Sequence, residues 1–103
     1  MTFSIPSPLV RQLNLDEQCF RDNQNLEQLE NVLAVREAAK NQAWFNKVKG
    51  YSIVVHKGKV IAINSSSLLA LGDGVRMAGT SNVYMVYISG AFDTMYGNET
   101  MQR

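Results

Sequence analysis

The chain has 103 residues, 46% hydrophobic and 18% charged, and ten Lys and Arg against nine Asp and Glu give a net charge of +1. That length supports one core rather than two, and near-neutral charge with ample apolar content excludes disorder for the bulk of the chain. With both signs mixed there is no broad basic field to replace counterions on phosphate, so nucleic acid is a disfavoured partner. The single Cys19 and single His56 can complete neither an intramolecular disulfide nor a Cys/His zinc site, and no cofactor or metal is expected. The first residues lack a basic leader followed by an apolar stretch, and no run approaches the roughly 18 apolar residues of a membrane span. The expectation is a cytoplasmic chain without a membrane partner. Fourteen of the nineteen charges fall in residues 1–59, and only Asp73, Arg76, Asp93, Glu99 and Arg103 follow.

Pro6 and Pro8 with small polar neighbours mark residues 1–7 as an extended arm. Ser7 then caps a helix that has Pro8 at its first position, running to about Arg21 with Leu9, Leu13 and Phe20 along one side. Asn25 and Gln28 have capping-box spacing. They open a long helix from Leu26 to about Val48, stopped by Gly50. At 100° per residue, Leu26, Leu29, Val32, Leu33, Ala39, Ala43, Trp44 and Val48 share half of its circumference. Arg36 and Lys40 interrupt that half. Either their stems lie along apolar surface with the heads reaching water, Glu37 or Glu30, or the face is shared with a partner, or Arg36 recognises an anion.

From Gly50 the period changes from 3.6 to 2. Residues 51–56 and 60–64 are β-branched runs joined by Lys57-Gly58-Lys59, a hairpin in which Gly supplies positive φ. Both strands are apolar on both faces, so each face needs a cover. Ser65-Ser66-Ser67 caps a third helix ended by Gly79, with Leu68, Leu71, Val75 and Ala78 as its packing stripe. Gly72 and Gly74 inside it provide a close backbone approach or a kink. Residues 83–88, Val-Tyr-Met-Val-Tyr-Ile, form the last strand, and Gly90 ends it. Residues 91–103 read as a tail in which Phe92, Met95 and Tyr96 are available to dock. The fold expected is α+β in a single domain, 1–103: a helical part over 8–48, then a ββαβ unit over 51–89 with a three-stranded mixed sheet of order 2-1-3.

Trp44, the hairpin from Tyr51 to Ala62, the following helix and residues 83–88 together resemble a family of small prokaryotic domains of unknown function. Its members carry a helix with a late tryptophan, a valine-rich hairpin with a short charged Gly turn, a helix and a final Val-Tyr-Ile strand. The resemblance covers about residues 40–88, implies the fold, and brings no activity with it. The serine run and Gly72-Asp73-Gly74 depart from it, since the family's helices carry charged helix formers there.

The candidate chemistry is sparse. A Ser–His–Asp arrangement would need His56 with Ser65, Ser66 or Ser67, yet the hairpin places them roughly 15 Å apart at 3.3 Å per residue. Asp16, Glu17 and Asp22 lack calcium-loop spacing, and Gly72-Asp73-Gly74 lacks the preceding strand and lysine of a phosphate cradle. No enzyme is expected. His56, Lys57 and Lys59 form a small cationic hairpin tip available to an anion or nucleic acid. The strongest signal is the 16-residue uncharged run from Met77 to Phe92, which reads either as a buried strand or as an edge that pairs with another chain. The leading expectation is a non-catalytic interaction module, homodimeric through that run and an open sheet face. Tyr84, Met85, Val86, Tyr87, Ile88, Arg36 and Lys40 would form the interface. The alternative is a small apolar ligand on a sheet face lined by Trp44 and Tyr51 with Tyr84 and Tyr87.

Overall fold

A computed structural model describes residues 3–90. The expected tail over 91–103 and the first two residues of the arm lie outside the described residues. Seven elements follow in order: α1 (Ser7–Asp22), α2 (Leu26–Ala39), α3 (Gln42–Val48), β1 (Ser52–His56), β2 (Lys59–Asn64), α4 (Ser67–Ala78) and β3 (Tyr84–Tyr87). The N-cap of α1 is Pro6, with no side-chain cap bond, so Ser7 is the first helical residue rather than the cap.

The expected long helix is two helices. Asn41 sits in extended backbone at φ −88°, ψ 111°, and its side chain accepts the Trp44 N–H at 3.0 Å. Asn41 thereby caps α3 afresh, and the change of direction turns Phe45 and Val48 into the core at 3% and 7% exposure. On α2 the buried face is Gln28, Asn31, Val32, Val35 and Ala39, while Leu26 is 74% exposed and Leu33 is exposed. The face is thus rotated from the one hydrophobicity alone selects. The rotation comes from two buried amides that find partners on the sheet.

The sheet order is β2-β1-β3, as expected, but both neighbouring pairs are antiparallel, so the sheet is not mixed. β2 and β3 do run parallel to each other, yet β1 lies between them and no parallel ladder forms. Lys57 (φ 52°) and Gly58 (φ 77°) make the two-residue turn between paired His56 and Lys59, the backbone signs of a type I′ hairpin. Val54 pairs with Ala62 but Val55 pairs with Val60, leaving Ile61 as a bulge in β2.

Alternation along the strands builds two cores. Ile53, Val55, Tyr84, Val86 and Ile88 face Leu9 and Leu13 of α1, Val32 and Val35 of α2, and Phe45 and Val48 of α3. Val54 and Val83, with Ile61, Ala62 and Met85, face α4. Helices therefore pack on both faces, and among the described residues no whole face of the sheet is left open in the way expected of a dimer interface.

α4 approaches the sheet on small residues. Ala70 and Gly74 are buried, whereas Leu68 is 80% and Met77 72% exposed. Of the expected stripe, Val75 and Ala78 do pack against this core, while Leu68 and Leu71 face away from it. A Cβ on Gly74 would stand 2.4 Å from Val54 Cγ1, so only glycine lets the helix come this close. The helix runs unbroken through Gly72 and Gly74, capped by Ser66 Oγ on Leu69 N–H and ended by Gly79 at φ 72°. Helix propensity alone would make Gly74→Ala stabilising by about 1 kcal/mol. The clash reverses the sign, and the variant is expected to lose about 1–3 kcal/mol in urea denaturation. The cost of Gly74→Ala should be smaller in a Val54→Ala background than in the parent, since the Cγ1 contact is then gone; a Gly74→Ala chain as stable as the parent contradicts the packing.

Candidate functional site

β3 is an edge strand, and three interactions fix how it is presented. The Ile88 N–H donates to the Tyr51 carbonyl at 2.9 Å, which sets the alternation of the ladder. The backbone groups of residues 84, 86 and 88 therefore turn toward β1, and those of Met85 and Tyr87 turn to the outer edge. The Tyr84 hydroxyl donates to Asp16 Oδ2 on α1, whose other oxygen accepts from Gln12 at 2.9 Å, and Phe20 packs edge-on against the Tyr84 ring at 5.9 Å. Gln28 Nε2 donates to the Val83 carbonyl at 2.8 Å. Entry, middle and exit of the strand are each tied down.

These bonds divide the expected interface residues. Tyr84, Val86 and Ile88 are 5%, 3% and 0% exposed and belong to the chain's own core. They are not a surface. Met85 is half-buried against the α4 core, and Tyr87, on the same face, is 53% exposed. A recess of about 320 Å³ runs beside this outer edge, lined by Met85, Val86, Tyr87 and Ser89 and closed on one side by Pro8 and Gln12 of α1.

The opposite edge, β2, differs. Lys59 opens it and the Ile61 bulge distorts it, both devices that discourage strand addition. β3 carries no charge, proline or bulge.

Arg36 and Lys40 have intramolecular partners. Arg36 donates to Glu17 Oε1 at 2.8 Å and to Asn14 Oδ1 at 3.0 Å, tying α2 to α1. Arg36 therefore interrupts the apolar half because α1 packs there, and neither a partner nor an anion is needed to explain it. Glu17 also accepts two bonds from Arg21, at 2.8 and 3.0 Å. The Arg21 bonds, with the bond and charge of Arg36, hold the Glu17 carboxyl below the usual carboxylate range against an opposing cost of desolvation. Lys40 pairs with exposed Glu37 at 3.2 Å on the solvent side, a contact worth about 0–1 kcal/mol.

The four aromatic residues expected to line one ligand face do not converge. Tyr84 is buried, Tyr87 lines the β3 recess, Tyr51 is exposed beside the α3–β1 turn, and half-buried Trp44 borders a separate groove beside α2. At the hairpin tip Lys57 and Lys59 are exposed and His56 is half-buried. The tip is docked rather than projecting: the Gly58 N–H donates to Asn31 Oδ1 at 2.8 Å, and the Glu30 carboxylate lies beside Gly58. The serines are at the other end of the hairpin, where Ser66 caps α4 and Ser67 Oγ bonds Ser52 Oγ at 2.5 Å. Ser52 and His56 are four positions apart on β1, roughly 13 Å at 3.3 Å per residue, so the expected serines, Ser65, Ser66 and Ser67, lie at the far end of the hairpin from His56. Among the described residues no group of three or more His, Cys, Asp or Glu could hold a metal. No helix there is long and apolar enough to cross a membrane.

Two features escaped the residue pattern. Of the two buried amides, Gln28 was legible only as part of a capping signal, which Asn25 does satisfy by accepting the Gln28 N–H at 3.2 Å, and Asn31 carried no signal. The outward leucines of α4 carry no local signal that they avoid the core. Comparison with family models, curated proteins and solved structures finds no match to the chain.

Tyr84 gives this site a pH signature. Burial first, then the bond to Asp16 and its charge, raise the phenol above its usual value. A raised folded value means this contribution is intact below the unfolded tyrosine value of about 10 and is lost as pH climbs above it. Tyr84→Phe is expected to cost about 1 kcal/mol at pH 7 and to flatten the fall in stability above about pH 10. Parallel alkaline profiles for the two chains would contradict the assignment.

Proposed function

We propose that the chain is a non-catalytic interaction module that forms a homodimer by antiparallel pairing of the β3 edges of two copies. The observation that carries this reading is the contrast between the edges: β2 bears a lysine and a bulge, while β3 is uncharged and has open space along it. Outward Met85 and Tyr87 set the register. Met85 of one copy faces Tyr87 of the other across a two-fold axis at Val86, each such pair exchanging both N–H···O bonds. The sulfur of Met85 then meets the exposed ring of Tyr87, a favourable contact.

The segment involved is narrower than the uncharged run as a whole. Within it Val83, Tyr84, Val86 and Ile88 belong to the core, and along β3 the outer edge is what is left for a partner. A cytoplasmic, prokaryotic setting belongs to the same reading, supported by the resemblance over residues 40–88 and by a lone exposed thiol, Cys19.

Light scattering between 1 and 100 µM, a range of order suited to weak dimers, is expected to show dimer at the upper end. Tyr87→Lys should yield monomer at every concentration while moving the unfolding free energy by no more than about 0.5 kcal/mol. A parent chain that stays monomeric throughout overturns the proposal.

A further inference from the structure

The geometry points to a second site, independent of the β3 edge: the groove between α2 and the hairpin binds a small amphipathic monocarboxylate. The groove encloses about 320 Å³, at the small end of the roughly 300–1,000 Å³ typical of ligand sites. It is lined by Ala34 and Ala38 of α2, Trp44 of α3, and Val55 and Val60 of the hairpin, Val55 being buried and Val60 exposed. The side chains that α2 presents here are small, Ala34 and Ala38, and Val60 is 43% exposed.

Lys59 is the one charged residue lining it, and it makes no ion pair with any described residue. An apolar trough with a single unpaired cation at its rim matches a ligand with an aliphatic or aromatic body and one negative charge. A neutral hydrocarbon would leave Lys59 unused, and a cationic amphiphile would be repelled. The volume favours a small molecule over a folded partner, whose surface would need to bury far more area to bind specifically.

Trp44 is the only tryptophan in the chain, so its fluorescence reports this groove directly. Titration with decanoate is expected to give a saturable spectral change, with decanol binding about fivefold more weakly and decylammonium more weakly still. Lys59→Gln, at an exposed position, should abolish the preference of decanoate over decanol without altering the melting curve. Ala38→Leu should remove the response by filling the trough. The inference is overturned by a non-saturable decanoate response, by decylammonium binding as tightly as decanoate, or by an unchanged preference in Lys59→Gln.

Discussion

Two buried amide side chains on α2 hold the sheet in place. Asn31 Nδ2 donates to Gln28 Oε1 at 2.9 Å, Gln28 Nε2 donates to the Val83 carbonyl at 2.8 Å, and Asn31 Oδ1 accepts the Gly58 N–H at 2.8 Å. One helix therefore grips both the tip of the β1–β2 hairpin and the residue before β3, segments 25 positions apart in the chain. At 9% and 2% exposure these amides have little water to turn to if the bonds break, so any other register leaves buried polar groups unsatisfied at about 1–3 kcal/mol each. The clamp explains why α2 buries Gln28 and Asn31 while Leu26 stays in solvent. It also fixes β3 beside β1 with Tyr84 and Val86 inward, which determines what the outer edge offers.

The other face is governed by distance rather than by hydrogen bonds. Gly74 brings α4 onto Val54 so closely that the helix must present its narrowest side, Ala70 and Gly74, to the sheet. Hydrophobic burial would have favoured the leucines, but close packing gains many dispersion contacts at once and the sheet below already supplies valines and isoleucines. The Ser52–Ser67 hydroxyl pair pins the start of α4 to β1 in that orientation. The Arg36–Glu17 pair does the corresponding work between α1 and α2. Each layer is thus oriented by a few directional contacts, and the apolar residues fill in around them.

That division of labour decides what could be read from residue order. The hairpin was legible because β-branched alternation and Lys57-Gly58 are local signals, and Asn25, Ser66 and Gly79 marked helix ends for the same reason. Element order and the 2-1-3 sheet followed from chain connectivity. The break at Asn41 was hidden because the apolar period continues through it in Ala43, Trp44 and Val48, masking a good cap residue. The faces of α2 and α4 were placed only in part, Val32 and Ala39 on one and Val75 and Ala78 on the other, because periodicity weighs side chains by hydrophobicity. The structure selected amides with partners on one helix and the absence of side chain on the other, and both depend on residues far away in sequence. Arg36 looked like a partner-binding residue only because Glu17 lies 19 positions upstream.

Strand β3 now divides into inward side chains, Tyr84 and Val86, satisfied within the chain, and an outward edge at Met85 and Tyr87. The central claim is that this edge pairs with a second copy while the β2 edge does not. Residue-resolved amide hydrogen exchange at low and high protein concentration tests it most directly. The account predicts that the Met85 and Tyr87 amides gain protection as concentration rises while those on the outer edge of β2 do not; concentration-independent exchange at Met85 and Tyr87 would contradict it.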